Sequence, residues 1–228
     1  GPGIGQPWRD LRKLLAKEPL RAAGASWVLW LAPAALIVSS LLVVALIPLI
    51  ATASLPAVPA DLFVVVSFLL IGTVALALLG LDSGTAFGGM GSSRHMTIAA
   101  LVEPTVLISV YALSVPAGSS SLPVIIASRL TNVSAVMSPA GLLAIVALFV
   151  VVLAECGRLP VDNPATHLEL TMVHEAMILE SGGRDLAWLE LGSWLRLTAL
   201  LGLVVNLAAP WGIAPDAAGL GLLVGVLA

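Results

Sequence analysis

Charge is scarce in this sequence. Lys, Arg, Asp and Glu make up only 10% of its 228 residues, whereas hydrophobic residues make up 59% and the mean hydropathy is +1.09. Soluble domains carry about 25% charged residues, so the chain is predicted to be an integral membrane protein. The formal net charge is −3, and the basic residues do not cluster with aromatic ones, which excludes a nucleic-acid-binding surface.

Cysteine and tyrosine are almost absent. The single cysteine, Cys156, cannot form an intramolecular disulfide, and without CxxC pairs the chain cannot supply the thiolates of an iron–sulfur cluster. We therefore expect no cofactor in this chain and expect any redox centre in a partner. Because strand-type alternation is also absent and apolar runs reach membrane-spanning length, helices are favoured over a β-barrel. The predicted fold class is all-α, a polytopic transmembrane helical bundle.

The two ends of the chain lack features of a complete membrane protein. The sequence begins GPGIGQPWRD, with no initiator Met and no signal-peptide hydrophobic region. At the other end, Ala217–Ala228 is apolar but as a helix it would span only about 18 Å of a hydrocarbon core that is roughly 30 Å thick. We expect both ends to be truncated or incompletely known.

Apolar run length predicts five spans within a single membrane domain, residues 1–228. A partial sixth span would start at Asp216, and residues 155–185 would form a charged loop between the fourth and fifth spans. The predicted spans are Trp27–Ile50, Asp61–Leu81, Thr97–Val115, Pro139–Ala154 and Leu186–Ala209.

The basic residues predict the orientation. If residues 1–26 are cytoplasmic, eight of the ten Lys and Arg residues lie on the cytoplasmic side, as the positive-inside rule requires. Residues 83–96 and 155–185 are then cytoplasmic. The segment PWRDLRKLLAKE has Trp8, Leu11 and Leu15 on one helical face, which is typical of an interfacial helix; a simple positive-inside flank is the alternative. The eight residues are Arg9, Arg12, Lys13, Lys17, Arg21, Arg94, Arg158 and Arg184.

Apart from Asp61 at the start of its span, three charged residues fall inside the predicted spans. Glu103 lies about 9 Å beyond the start of its span, where a carboxylate costs about 2.5–3.5 kcal/mol unless it is protonated, paired or hydrated. Pro104 frees a main-chain carbonyl beside it. A proton-handling or conformational role is favoured, and a carboxylate packed beside a partner arginine is the alternative. Glu190 and Arg196 point about 120° apart around their helix, which predicts that each finds its partner elsewhere.

Six charged residues and two histidines are concentrated in residues 155–180. Glu155 and Arg158 would pair if the preceding helix continued that far; prolines then break it, and a new helix is expected from Ala165. Closely spaced carboxylates and imidazoles in partly desolvated surroundings can hold shifted pKa values and exchange protons. The charged and imidazole residues of this segment are Glu155, Arg158, Asp162, His167, Glu169, His174, Glu175 and Glu180.

Metal and phosphate sites are not predicted. His167 and His174 would lie about 10 Å apart along a helix axis, and HEAMI does not match HExxH. The glycine-rich stretch FGGMGSSRH neither follows a strand nor contains GK[ST], so it is not a phosphate loop. We expect a flexible cytoplasmic turn at Gly88–Ser93, with Ser93 as the cap of the next helix.

The loop sequence AECGRLPVDNPATHLEL…HE resembles the AExxRxPxDxPxxxxEL pattern of the membrane subunit that joins the two arms of respiratory complex I. QPWRDLRKLLAKE, LAPAALIVSSLLVVALIPL and GGMGSSRHMTIAALVEP follow the order of that family, and Arg94 and Glu103 keep its nine-residue spacing. Within the family, GMGSSR, VDNPATHLELTMVHEAMILE and RDLRKL resemble the branch found in formate hydrogenlyase and hydrogenase-4 complexes, the energy-converting nickel-iron hydrogenases. His95, where that branch usually has Glu, and ESGGRD depart from it.

The resemblance implies an eight-span subunit of the cell inner membrane that carries no catalytic residue. It would lie beneath the large and small subunits of a nickel-iron hydrogenase, which hold the nickel-iron site and iron–sulfur clusters, and beside antiporter-like membrane subunits. The alternative is the quinone-site subunit of a complex I type NADH dehydrogenase; a stand-alone transporter would need an inverted repeat, which is not evident. The candidate proton-path and coupling residues are Glu103, Glu155, Asp162, Glu169, Glu175 and Glu180, with Arg94, Arg158, Arg196, His167 and His174 as charge partners.

Overall fold

The computed structural model describes residues 3, 5–19, 24, 26–49, 60–132, 138–159, 161–162 and 172–209. In this part of the chain the regular elements are helices, apart from one isolated bridge between Asp61 and Ser121. The predicted all-α membrane bundle is confirmed. The helices are α1 (Gln6–Ala16), α2 (Trp27–Leu46), α3 (Leu62–Asp82), α4 (Ala86–Ser114), α5 (Leu122–Thr131), α6 (Pro139–Glu155), α7 (His174–Ile178) and α8 (Arg184–Ala208), and a 3₁₀ turn, Val115–Ala117, extends α4.

Four described helices are long and apolar enough to cross a membrane: α2, α3, α4 with its 3₁₀ turn, and α8. The predicted boundaries of α2, α3 and α8 agree with the structure to within four residues. Helix α6 coincides with the fourth predicted span but has only 17 residues, about 25 Å, and falls in the shorter class of apolar helices. The span predicted from Asp216 lies outside the described residues.

The glycine-rich stretch Gly88–Ser93 is helical, so the predicted turn there is wrong. Helix α4 starts at Ala86, and its cap is the Thr85 hydroxyl, which accepts a hydrogen bond from the Gly88 amide at 3.1 Å. A Cβ on Gly88 would lie only 2.5 Å from the Gly80 carbonyl oxygen. This part of α4 is held by close packing of glycines against α3 and not by large apolar side chains. A hydropathy pattern therefore does not detect it.

Two aspartates fix the connections at opposite ends of the bundle. The Asp82 carboxylate, at the end of α3, accepts hydrogen bonds from the amides of Ser26 and Leu29 at 2.9 and 3.1 Å and so caps the start of α2. At the other end, Asp61 caps α3 and accepts a hydrogen bond from the Ser120 hydroxyl at 2.5 Å. We name the end at Asp82 the inner end, predicted to be cytoplasmic, and the end at Asp61 the outer end.

The buried apolar residues form two clusters that stack along the bundle axis. The inner cluster consists of Leu29, Ala32, Leu36, Ala75, Leu76, Leu79, Met177, Ile178 and Leu189. The outer cluster consists of residues from α2 to α6 and α8, among them Val43, Leu46, Leu62, Val65, Leu69, Val102, Val106, Val110, Val151, Val152, Ala199, Leu200 and Leu203. On α2, α3 and α8 the two clusters are separated by a short stretch that contains buried polar or small residues.

Part of the predicted charged loop packs inside the bundle. Met177 and Ile178 of α7 belong to the inner cluster, and α7 contacts α3 and α4. A Cβ on Gly91 of α4 would lie 2.9 Å from the Ala176 Cβ, so α7 sits directly on the glycine face of α4. The chain after α6 therefore folds back against the membrane helices.

Candidate functional site

A layer of polar side chains lies between the two apolar clusters. Arg196 is 12 residues beyond the start of α8 at Arg184, which is about 18 Å along the helix, and it is only 6% exposed. Thr73 and Ser39, on α3 and α2, are also buried at this level. We name as the polar layer the residues Ser39, Thr73, Glu103, Glu155 and Arg196.

The central contact of the polar layer is an ion pair between Arg196 and Glu155. Guanidinium Nη2 of Arg196 bonds Glu155 Oε1, and the two side chains are 8% and 4% exposed. The same nitrogen donates to the Thr73 hydroxyl at 2.5 Å and to the Leu69 carbonyl oxygen at 2.9 Å. Thr73 Oγ1 in turn lies 3.0 Å from Glu155 Oε1. One arginine on α8 thus joins α3 and the end of α6.

Gly72 makes room for the guanidinium group. A Cβ at this position would lie 2.8 Å from Arg196 Nη1 and 2.8 Å from the Ser39 hydroxyl oxygen. Real Cβ atoms essentially never approach other heavy atoms so closely, and Leu36 lies close on the same side, 3.3 Å away. The helix surface at Gly72 is therefore shaped to accept the charged side chain.

Glu103 is a second carboxylate beside the same arginine. It projects from α4, where Arg196 is its charged neighbour and Thr73 its polar neighbour. Its Oε1 is buried and has no hydrogen-bond partner among the described residues. Glu103 thus lies beside an arginine and keeps an unpaired oxygen atom, and its proton-handling or conformational role stays a prediction.

Two carboxylates and one guanidinium do not balance in charge if both acids are ionised. A buried charge without a partner is strongly unfavourable, and removal of one member of a buried pair typically costs about 3–5 kcal/mol. Protonation of one carboxylate, Glu103 or Glu155, leaves one anion for Arg196 and neutralises the layer. The arrangement can therefore exist in two forms that differ by where the proton lies and which acid holds the arginine.

A buried carboxylate organises the chain between α6 and α7. Asp162 is only 4% exposed, and its two oxygens accept hydrogen bonds from the amides of Val173 and His174 at 3.3 and 2.8 Å. Burial lowers the pKa of His174, an effect that Arg158 reinforces and the Asp162 carboxylate opposes. Asp162 thus fixes the start of α7, which packs against α3 and α4.

Two predictions about the loop are corrected. Helix α6 ends at Glu155 and Gly157 turns the chain with a φ of 55°, so the condition for an i, i+3 pair with Arg158 is not met and Glu155 pairs with Arg196 instead. The prediction of a continuous helix from Ala165 through His174 is also wrong in its last part. Residues 172–173 are not helical, and α7 begins at His174. Its earlier part lies outside the described residues.

The other predicted site residues do not enter the polar layer. Glu175 and Glu180 are exposed, while Arg158 and Glu175 are charged neighbours of Glu190. Glu190 therefore faces the loop and not Arg196. Arg94 is partly buried on α4. His167 and Glu169 lie outside the described residues, and within the described ranges no three His, Cys, Asp or Glu side chains come together as metal ligands would.

Four residues at the site were missed from the sequence: Ser39, Gly72, Thr73 and His95. Gly72 and Thr73 stand in the apolar run FLLIGTVALALL, where a small residue next to a hydroxyl is a weak signal of close approach by a polar group. His95 was noted only as a departure from a family pattern, yet the Arg196 guanidinium group and the His174 imidazole both lie near it.

The fold and this layer define a polytopic helical membrane protein with charged groups inside its bundle. The chain belongs to the NADH dehydrogenase family, whose model matches residues 1–223. It is 31% identical to hydrogenase-4 component C of Escherichia coli (strain K12) over 216 residues, 95% of this chain and 67% of that protein. It is 27% identical to formate hydrogenlyase subunit 4 of the same organism, over 93% of this chain and 68% of the relative.

Complex I type proteins are similar to the chain to a comparable degree. A subunit of the NADH-quinone oxidoreductase of Geobacter metallireducens (strain ATCC 53774 / DSM 7210 / GS-15) is 33% identical over 217 residues, 90% of this chain and 64% of the relative. The fold is also that of a chain in the membrane-bound sulfane sulfur reductase, an archaeal respiratory membrane complex, with a TM-score of 0.79 over 99% of this chain and 73% of that one at 19% identity. The chain is thus homologous to membrane subunits of hydrogenase and NADH-quinone oxidoreductase complexes.

Proposed function

We propose that this chain anchors a soluble hydrogenase module to the membrane and couples its redox chemistry to ion translocation by antiporter-like subunits. We assign the chain to the cell inner membrane, and the nickel-iron site and iron–sulfur clusters to partner subunits. The resemblance of its loop to the formate hydrogenlyase and hydrogenase-4 branch supports this assignment, as do its similarities to hydrogenase-4 component C and formate hydrogenlyase subunit 4.

The observation that carries the proposal is the polar layer. A bilayer-spanning bundle gains nothing in stability from charges that apolar side chains could replace. The presence of these charges is explained if their rearrangement takes part in coupling. In the proposed cycle Arg196 is held by Glu155 in one state and shifts toward Glu103 when Glu155 takes up a proton, so that charge moves between α6 and α4 at mid-depth in the bundle.

The loop supplies a mechanical link from the layer to the inner surface. Glu155 is the last residue of α6, and seven residues later Asp162 holds the amides that begin α7. The apolar side chains of α7 are buried in the inner cluster. A partner that docks on the exposed loop residues Glu175 and Glu180 can therefore shift Glu155 by moving this segment as a unit.

The test is the number of ions pumped per electron, measured in sealed vesicles that contain the assembled complex. Glu103→Gln keeps the side-chain shape but cannot exchange a proton, so we expect it to lower pumping by about half or more while hydrogen turnover with a soluble artificial donor stays near the wild-type rate. Glu18→Gln, an exposed acid on the segment after α1, is the matched control. Full pumping by an assembled Glu103→Gln complex contradicts the proposal, and loss of assembly indicates a purely structural role.

The second candidate function is that of the quinone-site subunit in a complex I type dehydrogenase. The 33% identity to a subunit of an NADH-quinone oxidoreductase favours it, and so does a cleft of about 580 Å³ between α1 and α8, lined by Leu11, Leu14, Leu186, Glu190 and Trp194 among others. The partners distinguish the two functions. Purification through this subunit should recover a nickel-containing hydrogenase, whereas recovery of a module that reduces quinone with NADH would establish the second candidate.

A further inference from the structure

His95 lies between the polar layer and α7. It is on α4, one helical turn beyond Gly91, so both residues share a helix face. That face is covered by α7, because a Cβ on Gly91 would lie 2.9 Å from the Ala176 Cβ and 3.2 Å from the Val173 carbonyl oxygen. His95 is therefore directed along the seam between α3, α4 and α7.

The groups around the His95 imidazole belong both to the polar layer and to α7. On α3 the imidazole bonds the main chain of Thr73, on α8 its charged neighbour is Arg196, and on α7 it lies near the imidazole of His174. Its Nε2 atom is buried and has no hydrogen-bond partner among the described residues. An unpaired buried polar nitrogen costs stability, and this nitrogen is the one that is free to exchange a proton.

We propose that His95 is the proton-relay residue that joins the inner surface at His174 to the carboxylates of the polar layer. The imidazole ring can accept a proton at one nitrogen and release the proton of the other. In this step an N–H bond of protonated His174 breaks as a new N–H bond forms on the His95 ring. The N–H bond at the other ring nitrogen of His95 then breaks, and its proton forms an O–H bond with a carboxylate of the polar layer. The inference rests on the proposed coupling function and adds a residue to it.

The effect of a titratable proton at position 95 can be separated from the effect of side-chain shape by comparing His95→Gln with His95→Glu. Glutamine and glutamate differ by one group, and only glutamate can take up and release a proton. We expect assembled complexes with His95→Gln to pump about half as many ions per electron as the wild type, or fewer, and complexes with His95→Glu to pump more than those with His95→Gln. Met96→Leu, at an exposed neighbouring position on α4, should leave pumping unchanged.

The outcomes separate this inference from the function on which it rests. If His95→Gln pumps like the wild type, or if the Gln and Glu variants lose pumping equally in assembled complexes, His95 is not a relay. If His95 is not a relay but Glu103→Gln lowers pumping in the same assay, the proposed coupling function stands without a role for His95. If neither Glu103→Gln nor His95→Gln changes pumping, both proposals fail.

Discussion

Arg196 illustrates how a single charge is accommodated within an apolar bundle. Its guanidinium group bonds Glu155, the Thr73 hydroxyl and the Leu69 carbonyl oxygen, and little of it is exposed. Each of these contacts replaces hydration that the interior cannot provide. The arginine is therefore stable only while its partners stay in place, which makes the layer sensitive to changes in any of them.

Because of this dependence, a single variant should destabilise the subunit more than the double variant that removes both charges. Glu155→Met leaves the buried guanidinium without its ion-pair partner and should destabilise the subunit by about 3–5 kcal/mol. Adding Arg196→Met removes the unpaired charge, so the double variant should recover much of that loss. Denaturation of the purified subunit in detergent measures both values. A double variant less stable than Glu155→Met alone would show that the arginine is held mainly by other groups.

Gly72 provides a second residue-scale prediction. Gly72→Ala places a Cβ within 2.8 Å of Arg196 Nη1 and of the Ser39 hydroxyl, so it should displace the guanidinium group and destabilise the protein by about 1–3 kcal/mol. Gly89→Ala is the matched control, because a Cβ there meets nothing within 4 Å; alanine's better helix propensity should leave stability equal or raise it by up to about 1 kcal/mol. Equal melting temperatures for the two variants would contradict this account of Gly72.

At the scale of elements, α7 is the part of the loop whose docking depends on pH. Burial lowers the pKa of His174, so the undocked segment binds a proton more readily than the docked one. Docking is therefore fully favoured above the ordinary histidine pKa of about 6.5 and weakens as the pH falls below it. Hydrogen exchange of residues 172–179 should accelerate between pH 7.5 and pH 5 beyond the intrinsic effect of pH, and less so in His174→Gln. The same pH dependence in both proteins would contradict this role of His174.

The long apolar helices could be predicted from the sequence, and the elements that build the site could not. Helices α2, α3 and α8 are marked by apolar runs bounded by polar residues, and run length is sufficient to place them. The first turns of α4 are glycine-rich and contain no such run, yet they are helical because α3 and α7 pack closely against them. Short α7 likewise depends on Asp162 and on burial in the inner cluster, neither of which leaves a periodic pattern.

From the sequence, the candidate site could be predicted as charged residues that are unfavourable inside a membrane. The contacts between these residues could not be predicted. Energetic cost alone marks Glu103 and Arg196 as residues in need of partners. The partner of Arg196 is 41 residues away in sequence and the contact between Thr73 and Glu155 joins positions 82 apart, so only the packing of α3, α6 and α8 brings them together. A pair between Glu155 and Arg158 depended on a longer helix, which the turn at Gly157 prevents.

For the whole molecule, the orientation in the membrane remains a prediction from the basic residues. It requires the loop between α7 and α8 to face the cytoplasm and the turn between α4 and α5 to face the opposite side. In a Cys156→Ser background, Glu180→Cys should react with an impermeant thiol reagent from the cytoplasmic face, and Ser119→Cys only from the other face. Labelling of both positions from one side would contradict the predicted topology.

The central claim is that redox chemistry in a partner changes the protonation of the polar layer. The most direct measurement is a reduced-minus-oxidised infrared difference spectrum of the assembled complex, in which a protonated carboxyl group has its own absorption band. We predict such a band in the wild type and in Glu18→Gln, and its loss in Glu103→Gln or Glu155→Gln. Difference spectra that are identical in the wild type and in both polar-layer variants would contradict the account.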